Sequence, residues 1–312
     1  MEPYFPKKLR LVYVLDNKAN GEFLGSHGLS IYLEATYDSS SQAIVLDAGD
    51  SEEKLLHNLR ILKERGKIDK EKIRAVVLSH GHWDHGDGLI GLFRFIGRKI
   101  PLIAHPKAFV KRISTVPFIR RVGIKFTEDE LEKAGAYIVK VSHPLELLPG
   151  IFFSGEIPRV YEPSIDGVYF IQQNNNGSLV EDEIIDDSAI FGIGANTLFA
   201  ITGCGHSGIL NIIKYLKEFF NSEKKGVSRI LITGGFHLAK KKKDKLVNIA
   251  DNLLQITSSF KEVYIAPCHC TGDEFVKILK QRVEESGMNI MIFTPRSGSE
   301  LIILDEKVEF IA

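Results

Sequence analysis

The 312-residue sequence predicts an α/β fold in which β-sheets lie inside and helices outside. Short runs rich in β-branched residues alternate with amphipathic segments of helical length, and both halves of the chain show this alternation. The composition, 44% hydrophobic and 26% charged, is that of a globular protein with a sizeable core. The 40 basic and 40 acidic residues cancel, so the net charge gives no indication of a nucleic-acid partner.

The first half contains four predicted strands and two predicted helices. Residues 51–66 predict a helix because Ser51 can cap the first turn, acidic residues follow it, and Gly66 can end it. Residues 87–96 predict a second helix. The predicted strands have the sequences LRLVYVLD (9–16), GLSIYLEAT (28–36), QAIVLDAG (42–49) and IRAVVLS (73–79).

Three strand–loop–helix units and a strand-rich tail make up the second half. The stretch FGIGANTLF (191–199) contains a Gly-x-Gly but lacks a third glycine and a following helix, so we predict a turn between strands rather than a dinucleotide site. The strands are predicted at 197–203, 228–235 and 262–267, the helices at 208–220, 244–257 and 273–285, and the tail at 288–311.

Residues 106–167 fit this alternation least well. They contain the basic residues Lys111, Arg120 and Arg121, a predicted helix at 127–135, and loops with proline. We predict that they form an insertion over one face of a single domain that spans residues 1–312. The polar stretch QQNNNGSLVEDEIIDD (172–187), which follows, predicts a hairpin loop.

The beginning of the chain and the few cysteines point to a cytoplasmic protein. The N-terminal residues MEPYFPKKLRLVYVLDN lack the arrangement of a signal peptide, and no apolar run approaches the ~20 residues of a membrane span. Three cysteines cannot make a disulfide framework. We therefore expect no membrane association, and the oligomeric state is left open, a homo-oligomer included.

Four residues of metal-binding type, His80, His82, Asp84 and His85, lie in the motif HGHWDH directly after a predicted strand. Imidazole and carboxylate groups suit a divalent transition metal. Ligand sites in α/β sheets favour the carboxyl ends of strands. The motif therefore predicts a metal site in this loop.

The motif resembles the HxHxDH signature of the metallo-β-lactamase superfamily, and the resemblance extends over most of the chain. It implies a four-layer αββα sandwich that holds one or two divalent metal ions. Zinc is expected, and iron, manganese and magnesium are alternatives. The resemblance also implies that His80 and His82 hold the first metal and that Asp84 and His85 hold the second.

Two later motifs and one earlier residue match the superfamily as well. His206 in ITGCGHSGI and His269 in IAPCHCTG each follow a predicted strand, and the resemblance implies that both are metal ligands. Asp47 in IVLDAG would accept a hydrogen bond from a ligand histidine and so orient it. The alternative for Asp47 is a turn-forming role at the end of a strand.

One position departs from the pattern of the superfamily. Many members carry a bridging aspartate where ITGGFHL has Gly235, which predicts a weaker second metal site. A Gly235→Asp variant is expected to tighten that site if the loop geometry is otherwise kept. His237, two residues further on, could act as a proton donor, a substrate ligand or a replacement metal ligand.

All three cysteines lie beside proposed ligands. Cys268 and Cys270 flank His269, so in extended backbone they would point away from the site and into the core. Cys204 could face the same way as His206, and we predict that its sulfur packs, with thiolate ligation of a metal as the alternative.

Two cationic elements are predicted to bind an anionic substrate. They are the run from Lys240 to Lys243, of which we single out Lys241, and Arg159 in SGEIPRV. The alternative for the lysine run is an ordinary solvated face.

The motifs HGLS, GEIPR, TGCGHSGI, GGFHL and PCHC together resemble one branch of the superfamily. This branch includes the archaeal 7,8-dihydropterin-6-yl-methyl-4-(β-D-ribofuranosyl)aminobenzene 5′-phosphate synthase of methanopterin biosynthesis. The resemblance implies a transferase that displaces diphosphate from a pterin methyl diphosphate, with a small phosphorylated molecule as the second substrate. We single out Asp84 and His237 as candidate catalytic residues, because Asp84 could take the proton of a metal-bound water in a hydrolase and His237 could act as a proton donor. One alternative is a general metal-dependent hydrolase of an ester, lactone or phosphoester, and another is a non-catalytic metal-binding protein.

Overall fold

Two large β-sheets form the centre of the protein, for which a computed structural model describes residues 5–165, 167–172, 178–221 and 227–312. In spatial order, the first sheet contains β19 (Val308–Ile311), β18 (Glu300–Leu304), β1 (Lys8–Leu15), β2 (Ser30–Thr36), β3 (Ser41–Leu46), β4 (Ile73–Leu78), β5 (Ile100–Ala104) and β8 (Ala136–Lys140). The second sheet contains β17 (Ile290–Ile292), β16 (Glu262–Cys268), β15 (Arg229–Gly235), β14 (Thr197–Thr202), β13 (Ala189–Gly194), β10 (Ile151–Phe153) and β9 (Leu145–Leu148). A small third sheet contains β12 (Leu179–Glu181), β11 (Tyr169–Gln172), β6 (Arg112–Ser114) and β7 (Arg120–Arg121).

Helices cover the outer faces of the two large sheets. Leu11 and Ile31 of the first sheet share a buried cluster with Phe199 of the second, whereas Val12, the residue after Leu11 in β1, belongs to the cluster formed with the helices. The helices on the first sheet are α1 (Glu52–Glu64) and α3 (Leu89–Ile96), and those on the second are α5 (Ile209–Phe220), α6 (Lys243–Thr257) and α7 (Asp273–Ser286). The predicted four-layer αββα sandwich is thus confirmed. None of the described helices is long and apolar enough to cross a membrane.

The parallel strands of both sheets end at the edge where the site lies. β3, β4 and β5 run parallel in the first sheet, and β14, β15 and β16 run parallel in the second. The loops that leave β4, β14 and β16 carry the HGHWDH, GCGH and CHC sequences. The short helix α2 (Trp83–Gly86) lies inside the first of these loops, so the predicted helix at 87–96 begins only at Leu89.

Part of the segment at 106–167 belongs to the two large sheets, and its interpretation as an insertion over one face stays a prediction. β8 extends the first sheet beside β5, and β9 and β10 extend the second sheet. Of the described strands in this segment, β6 and β7 lie in the small third sheet, and α4 (Glu128–Lys133) precedes β8. The strands have only two to five residues, so their alternation was too short to reveal them in the sequence. That the whole chain forms one domain stays a prediction.

One predicted turn and the strands of a predicted hairpin lie among the described residues. Ala195 and Asn196, with φ of 46° and 52°, connect β13 to β14, which confirms the turn predicted in FGIGANTLF. β11 and β12 pair antiparallel within the predicted hairpin, and of the residues between them 173–177 lie outside the described residues. The hairpin occupies only the first part of the polar stretch, because Asp182 and Asp186 are buried beneath the site.

Candidate metal centre

The loop after β4 is fixed from outside by a buried arginine. A side chain in place of Gly81 would collide with a backbone oxygen and with the guanidinium of Arg112, so only glycine fits between His80 and His82. The N–H of Gly81 donates to Asp186 Oδ2 (2.8 Å), and Arg112 Nη2 binds Asp186 Oδ1 (2.6 Å). The two histidines are therefore held by a loop whose backbone has little freedom.

A first group of potential ligands consists of His80, His82 and His206, each less than a tenth exposed. Their ligand atoms all lie within 4.8 Å of one another, and His80 Nε2 is 3.0 Å from His82 Nδ1. Neighbouring nitrogens of a tetrahedral zinc site are about 3.3 Å apart. His206 Nε2 is buried and has no hydrogen-bond partner among the described residues. This donor set fits a divalent metal.

A second group consists of Asp84, His85, Cys204 and His269, all buried. Cys204 Sγ lies 3.1 Å from His85 Nε2 and 3.4 Å from His269 Nε2. Asp84 Oδ2 lies 3.5 Å from His269 Nε2 and 3.8 Å from His85 Nε2. The oxygen, nitrogen and sulfur donors thus converge on one point, which also fits a divalent metal.

The second ring nitrogen of four of these histidines is held by a neighbouring group. Such contacts fix the orientation of a ligand histidine. The pairs are His80 Nδ1 with Ser79 Oγ (3.0 Å), His85 Nδ1 with Asp47 Oδ2 (2.6 Å), His206 Nδ1 with Ser164 O (3.2 Å) and His269 Nδ1 with Asn17 Oδ1 (2.9 Å).

Three residues at the site adopt left-handed backbone directly after a strand or close to its end. They are Asp47, His237 and His269, with φ of 59°, 50° and 52°. Residues other than glycine rarely adopt this conformation, and such positions cluster at functional sites. This conformation ends the alternation of side chains along each strand and turns each of the three side chains toward the groups of potential ligands.

The two groups differ in their electrostatics. Burial and the neighbouring imidazoles hold the pKa of His80 and of His206 well below the usual range, so both rings are neutral. Burial alone would also lower the pKa of His85, but the carboxylates of Asp47 and Asp84 raise it. In the second group a cation would therefore take over the position of a proton.

Cys268 lies where the sequence predicts, whereas Cys270 and Cys204 do not. Cys268 packs in the core between the sheets. Cys270 does not, because the left-handed His269 ends the alternation; its sulfur lines the pocket 3.4 Å from Cys204 Sγ. The sulfur of Cys204, predicted to pack, lies among the ligand atoms.

A pocket of about 750 Å³ opens above the ligand groups. His237 lines it, with its ring 4.1 Å from that of His206. Aromatic rings of Trp83, Tyr169 and His27 form further parts of the wall. The cationic residues that line it are Lys18, Arg120, Lys240, Lys277 and Arg296. Lys18, Tyr169, Lys277 and Arg296 could not be predicted from the sequence, because they come from segments far apart in the chain and no motif marks them.

Arg159 and Lys241 do not line this pocket, and their role in binding substrate stays a prediction. Arg159 donates to the backbone oxygens of Glu183 (2.7 Å) and Ile184 (2.8 Å), so it stabilises the backbone at these two residues. Lys241 Nζ donates to Ile165 O (3.3 Å) beside a separate cavity of about 120 Å³. Of the lysine run, Lys240 is the residue that reaches the pocket.

An αββα sandwich with groups of potential metal ligands at its strand ends is the architecture of one class of proteins, and comparison with known proteins agrees. The chain belongs to the metallo-beta-lactamase superfamily, whose family model matches residues 27–210. It is 35% identical to the uncharacterized protein MJ0448 of Methanocaldococcus jannaschii, over 86% of this chain and 93% of that protein.

Two further similarities concern proteins with a described activity. The chain is 28% identical to the 7,8-dihydropterin-6-methyl-4-(beta-D-ribofuranosyl)-aminobenzene-5'-phosphate synthase of Methanocaldococcus jannaschii, over 85% of this chain and 88% of that protein. Among solved structures, Tm1679, described as a metal-dependent hydrolase of the beta-lactamase superfamily, superposes with a TM-score of 0.72 at 26% identity, over 94% of this chain and 98% of Tm1679. Unliganded yeast PDE1 shares the fold, with a TM-score of 0.51 at 12% identity, over 95% of this chain and 99% of that one.

Proposed function

We propose that the protein is a metal-dependent enzyme that acts on a small molecule carrying a phosphate or diphosphate group. The main support is the placement of two groups of metal ligands at the floor of a pocket with cationic walls. The first metal would be held by His80, His82 and His206, and the second by Asp84, His85 and His269. When bound, the metals supply positive charge that stabilises a leaving phosphate or diphosphate.

The cationic wall supports the choice of an anionic substrate. Arg120, Lys240 and Arg296 are exposed and line the pocket, although the chain as a whole has no net charge. Guanidinium and ammonium groups bind phosphate oxygens through charge-assisted hydrogen bonds. These side chains would bind one phosphate of a diphosphate while the other phosphate faces the two proposed metal positions.

The aromatic wall and the synthase relative support a pterin substrate. Trp83 and Tyr169 offer flat faces on which a pterin ring can stack. We propose that diphosphate is displaced from a pterin methyl diphosphate by a ribofuranosyl-aminobenzene phosphate. His237, at the pocket wall, would exchange a proton with the substrate. Asp84 lies among the ligand atoms, so metal binding competes with its predicted catalytic role.

A hydrolase of an ester, lactone or phosphoester is the second candidate. The observation in its favour is the likeness to Tm1679 over almost the whole chain. In this reaction water would replace the second substrate, and the proton would pass to His237 or Asp84.

Pyrophosphate binding tests the substrate class. We expect calorimetry to show binding to the metal-loaded protein, loss of binding after chelation, and weaker binding in Arg120→Gln and Arg296→Gln. The matched control is Arg282→Gln, which lies on α7, makes its ion pairs outside the pocket and should bind as wild type. Binding that is unaffected by chelation and by both pocket variants would refute the proposal.

Product analysis separates the two candidates. The transferase releases diphosphate only when pterin methyl diphosphate and the ribofuranosyl-aminobenzene phosphate are both present. Turnover of simple esters or phosphodiesters, with no reaction of phosphorylated pterins, would favour the hydrolase.

A further inference from the structure

We propose that a metal at the second group is enclosed by four protein ligands, Cys204 among them, and that the phosphate of the substrate binds only the metal at the first group. The proposal rests on the proposed function and specifies which metal takes the substrate. The first group consists of His80, His82 and His206. The second group consists of Asp84, His85, Cys204 and His269. The two groups have no residue in common, so a metal can occupy each of them at the same time.

The distances within the second group are those of a tetrahedral metal site. Cys204 Sγ lies 3.1 Å from His85 Nε2 and 3.4 Å from His269 Nε2. Asp84 Oδ2 lies 3.5 Å from His269 Nε2 and 3.8 Å from His85 Nε2. In a tetrahedral zinc site, a sulfur at about 2.3 Å and a nitrogen at about 2.0 Å from the metal are about 3.5 Å apart. Four ligands fill such a site, so a metal there has no position left for a substrate.

The first group lacks a fourth ligand. No further histidine, cysteine or carboxylate of the described residues joins His80, His82 and His206. The ring of His237 lies 4.1 Å from that of His206, but His237 forms a third group with His206 and Cys204 instead. This third group takes one residue from each of the other two, so it is not filled when both of those hold a metal. A metal with three histidine ligands keeps one position open, as in catalytic zinc sites, and His82 and His206 line the pocket from which a substrate would reach it.

The close packing around Gly235 excludes a further ligand from this residue. A Cβ atom at residue 235 would lie 2.5 Å from Gly203 O, 2.6 Å from Cys270 Sγ and 3.2 Å from Cys204 Cα. A carboxylate side chain therefore does not fit there. The N–H of Gly235 donates to Gly203 O (2.9 Å), which holds the loop with Cys204 against this backbone. The fourth ligand of the second group is thus the sulfur of Cys204, which lies among the ligand atoms.

The charges of the ligands direct a phosphate to the first metal. A metal binds cysteine as a thiolate and aspartate as a carboxylate, so Cys204 and Asp84 together cancel the charge of a divalent ion. As the sulfur–metal bond forms, the S–H bond breaks and the proton passes to the buffer, with no change of oxidation state. Histidine binds as neutral imidazole, so the metal at the first group keeps its full positive charge. A phosphate dianion is therefore attracted more strongly to the first metal than to the second.

Cadmium-113 NMR of the cadmium-loaded protein tests both parts of the proposal, because a thiolate ligand moves a cadmium resonance strongly downfield. We expect two resonances, of which one lies in the range of sulfur-ligated cadmium. Inorganic phosphate should shift only the other resonance. In Cys204→Ser the downfield resonance should move upfield. Cys270→Ser is the matched control and should keep it, because Cys270 Sγ lies 3.4 Å from Cys204 Sγ but is in none of the ligand groups of the described residues.

X-ray absorption of the zinc-loaded wild type gives a result that does not depend on the folding of any variant. We expect one sulfur for every two zinc ions, at about 2.3 Å. Zinc without sulfur would show that Cys204 is not a ligand, and one sulfur per zinc would show that both metals have a thiolate ligand. Either result would overturn the proposal.

The response to phosphate can also contradict the proposal. A shift of the sulfur-ligated resonance would show that the second metal is open to the substrate, and no shift of either resonance would show that phosphate does not bind the first metal. In these cases the proposed function keeps its own test, which is pyrophosphate binding that is lost on chelation. A protein that binds no divalent metal would overturn both.

Discussion

Asp47 orients two parts of the candidate metal centre through one side chain. Oδ2 accepts from His85 Nδ1 (2.6 Å) and Ser79 Oγ (2.7 Å), and Oδ1 accepts from the N–H of Ser79 (2.7 Å). We expect Asp47→Asn to weaken metal binding about 10- to 100-fold, because an amide cannot accept all three bonds. Competition with a chromophoric chelator measures this affinity. Asp38→Asn, which changes an exposed carboxylate, is the control, and equal affinity in both variants would contradict the role of Asp47.

The close packing around Gly235 argues against the expectation from the sequence that Gly235→Asp tightens the second metal site. Because its Cβ would press on the backbone of Gly203, Gly235→Asp and Gly235→Ala should both lower the free energy of unfolding, by about 1–3 kcal/mol. The aspartate should not tighten the second metal site. Thermal unfolding and metal titration of the two variants check this. A Gly235→Asp protein with wild-type stability and tighter metal binding would show that the loops can separate.

At the residue scale, the sequence predicts which candidate ligands lie close together better than it predicts the residues around them. HGHWDH places four donors in one loop, so the proximity of His80, His82, Asp84 and His85 follows from spacing. The position of Cys204 instead depends on the close approach of two loops, in which the N–H of Gly235 donates to Gly203 O, 32 residues earlier in the chain. No local pattern contains that contact.

Among the elements, the small third sheet is joined by Arg112 to the loop after β4, which carries candidate metal ligands. This fully buried guanidinium of β6 binds Asp182 Oδ2 and Asp186 Oδ1, each at 2.6 Å. We expect Arg112→Met to lower the free energy of unfolding by about 3–5 kcal/mol, because two buried carboxylates lose their partner. Chemical denaturation measures the change. The control Arg282→Met, on the partly exposed face of α7, should change stability little, and equal effects in both would contradict the argument.

Sequence patterns predict the long elements of this fold and fail for the short ones. Long amphipathic helices such as α1 and α5 and buried parallel strands such as β4 have strong periodicity and could be predicted. The strands between residues 106 and 167 have too few residues for a period. The acidic residues after β12 look like a surface loop in sequence, and only the partner Arg112, 70 residues away from Asp182, explains their burial.

At the scale of the whole molecule, the candidate ligands join the two sheets. His80, His82 and His85 follow β4 of the first sheet, whereas His206 and His269 follow β14 and β16 of the second. A metal that binds both sets would hold the edge of the sandwich closed, and it stabilises only the folded state. With free metal at 100 times its dissociation constant, the gain is about 2.7 kcal/mol per site.

Chelation should therefore lower the midpoint of thermal unfolding. At lower temperature it should loosen the loops at this edge before the rest of the protein unfolds. Hydrogen exchange should speed up in the loops after β4, β14 and β16, because those loops lose the ligand that joins them. The strands β18 and β19 make no part of this edge and should exchange as before, which gives an internal control. Restoring the metal should reverse the change, and His206→Ala should exchange rapidly in these loops with or without metal. If chelation instead speeds up exchange evenly along the chain, or leaves it unchanged, the metals do not hold the two sheets together at this edge.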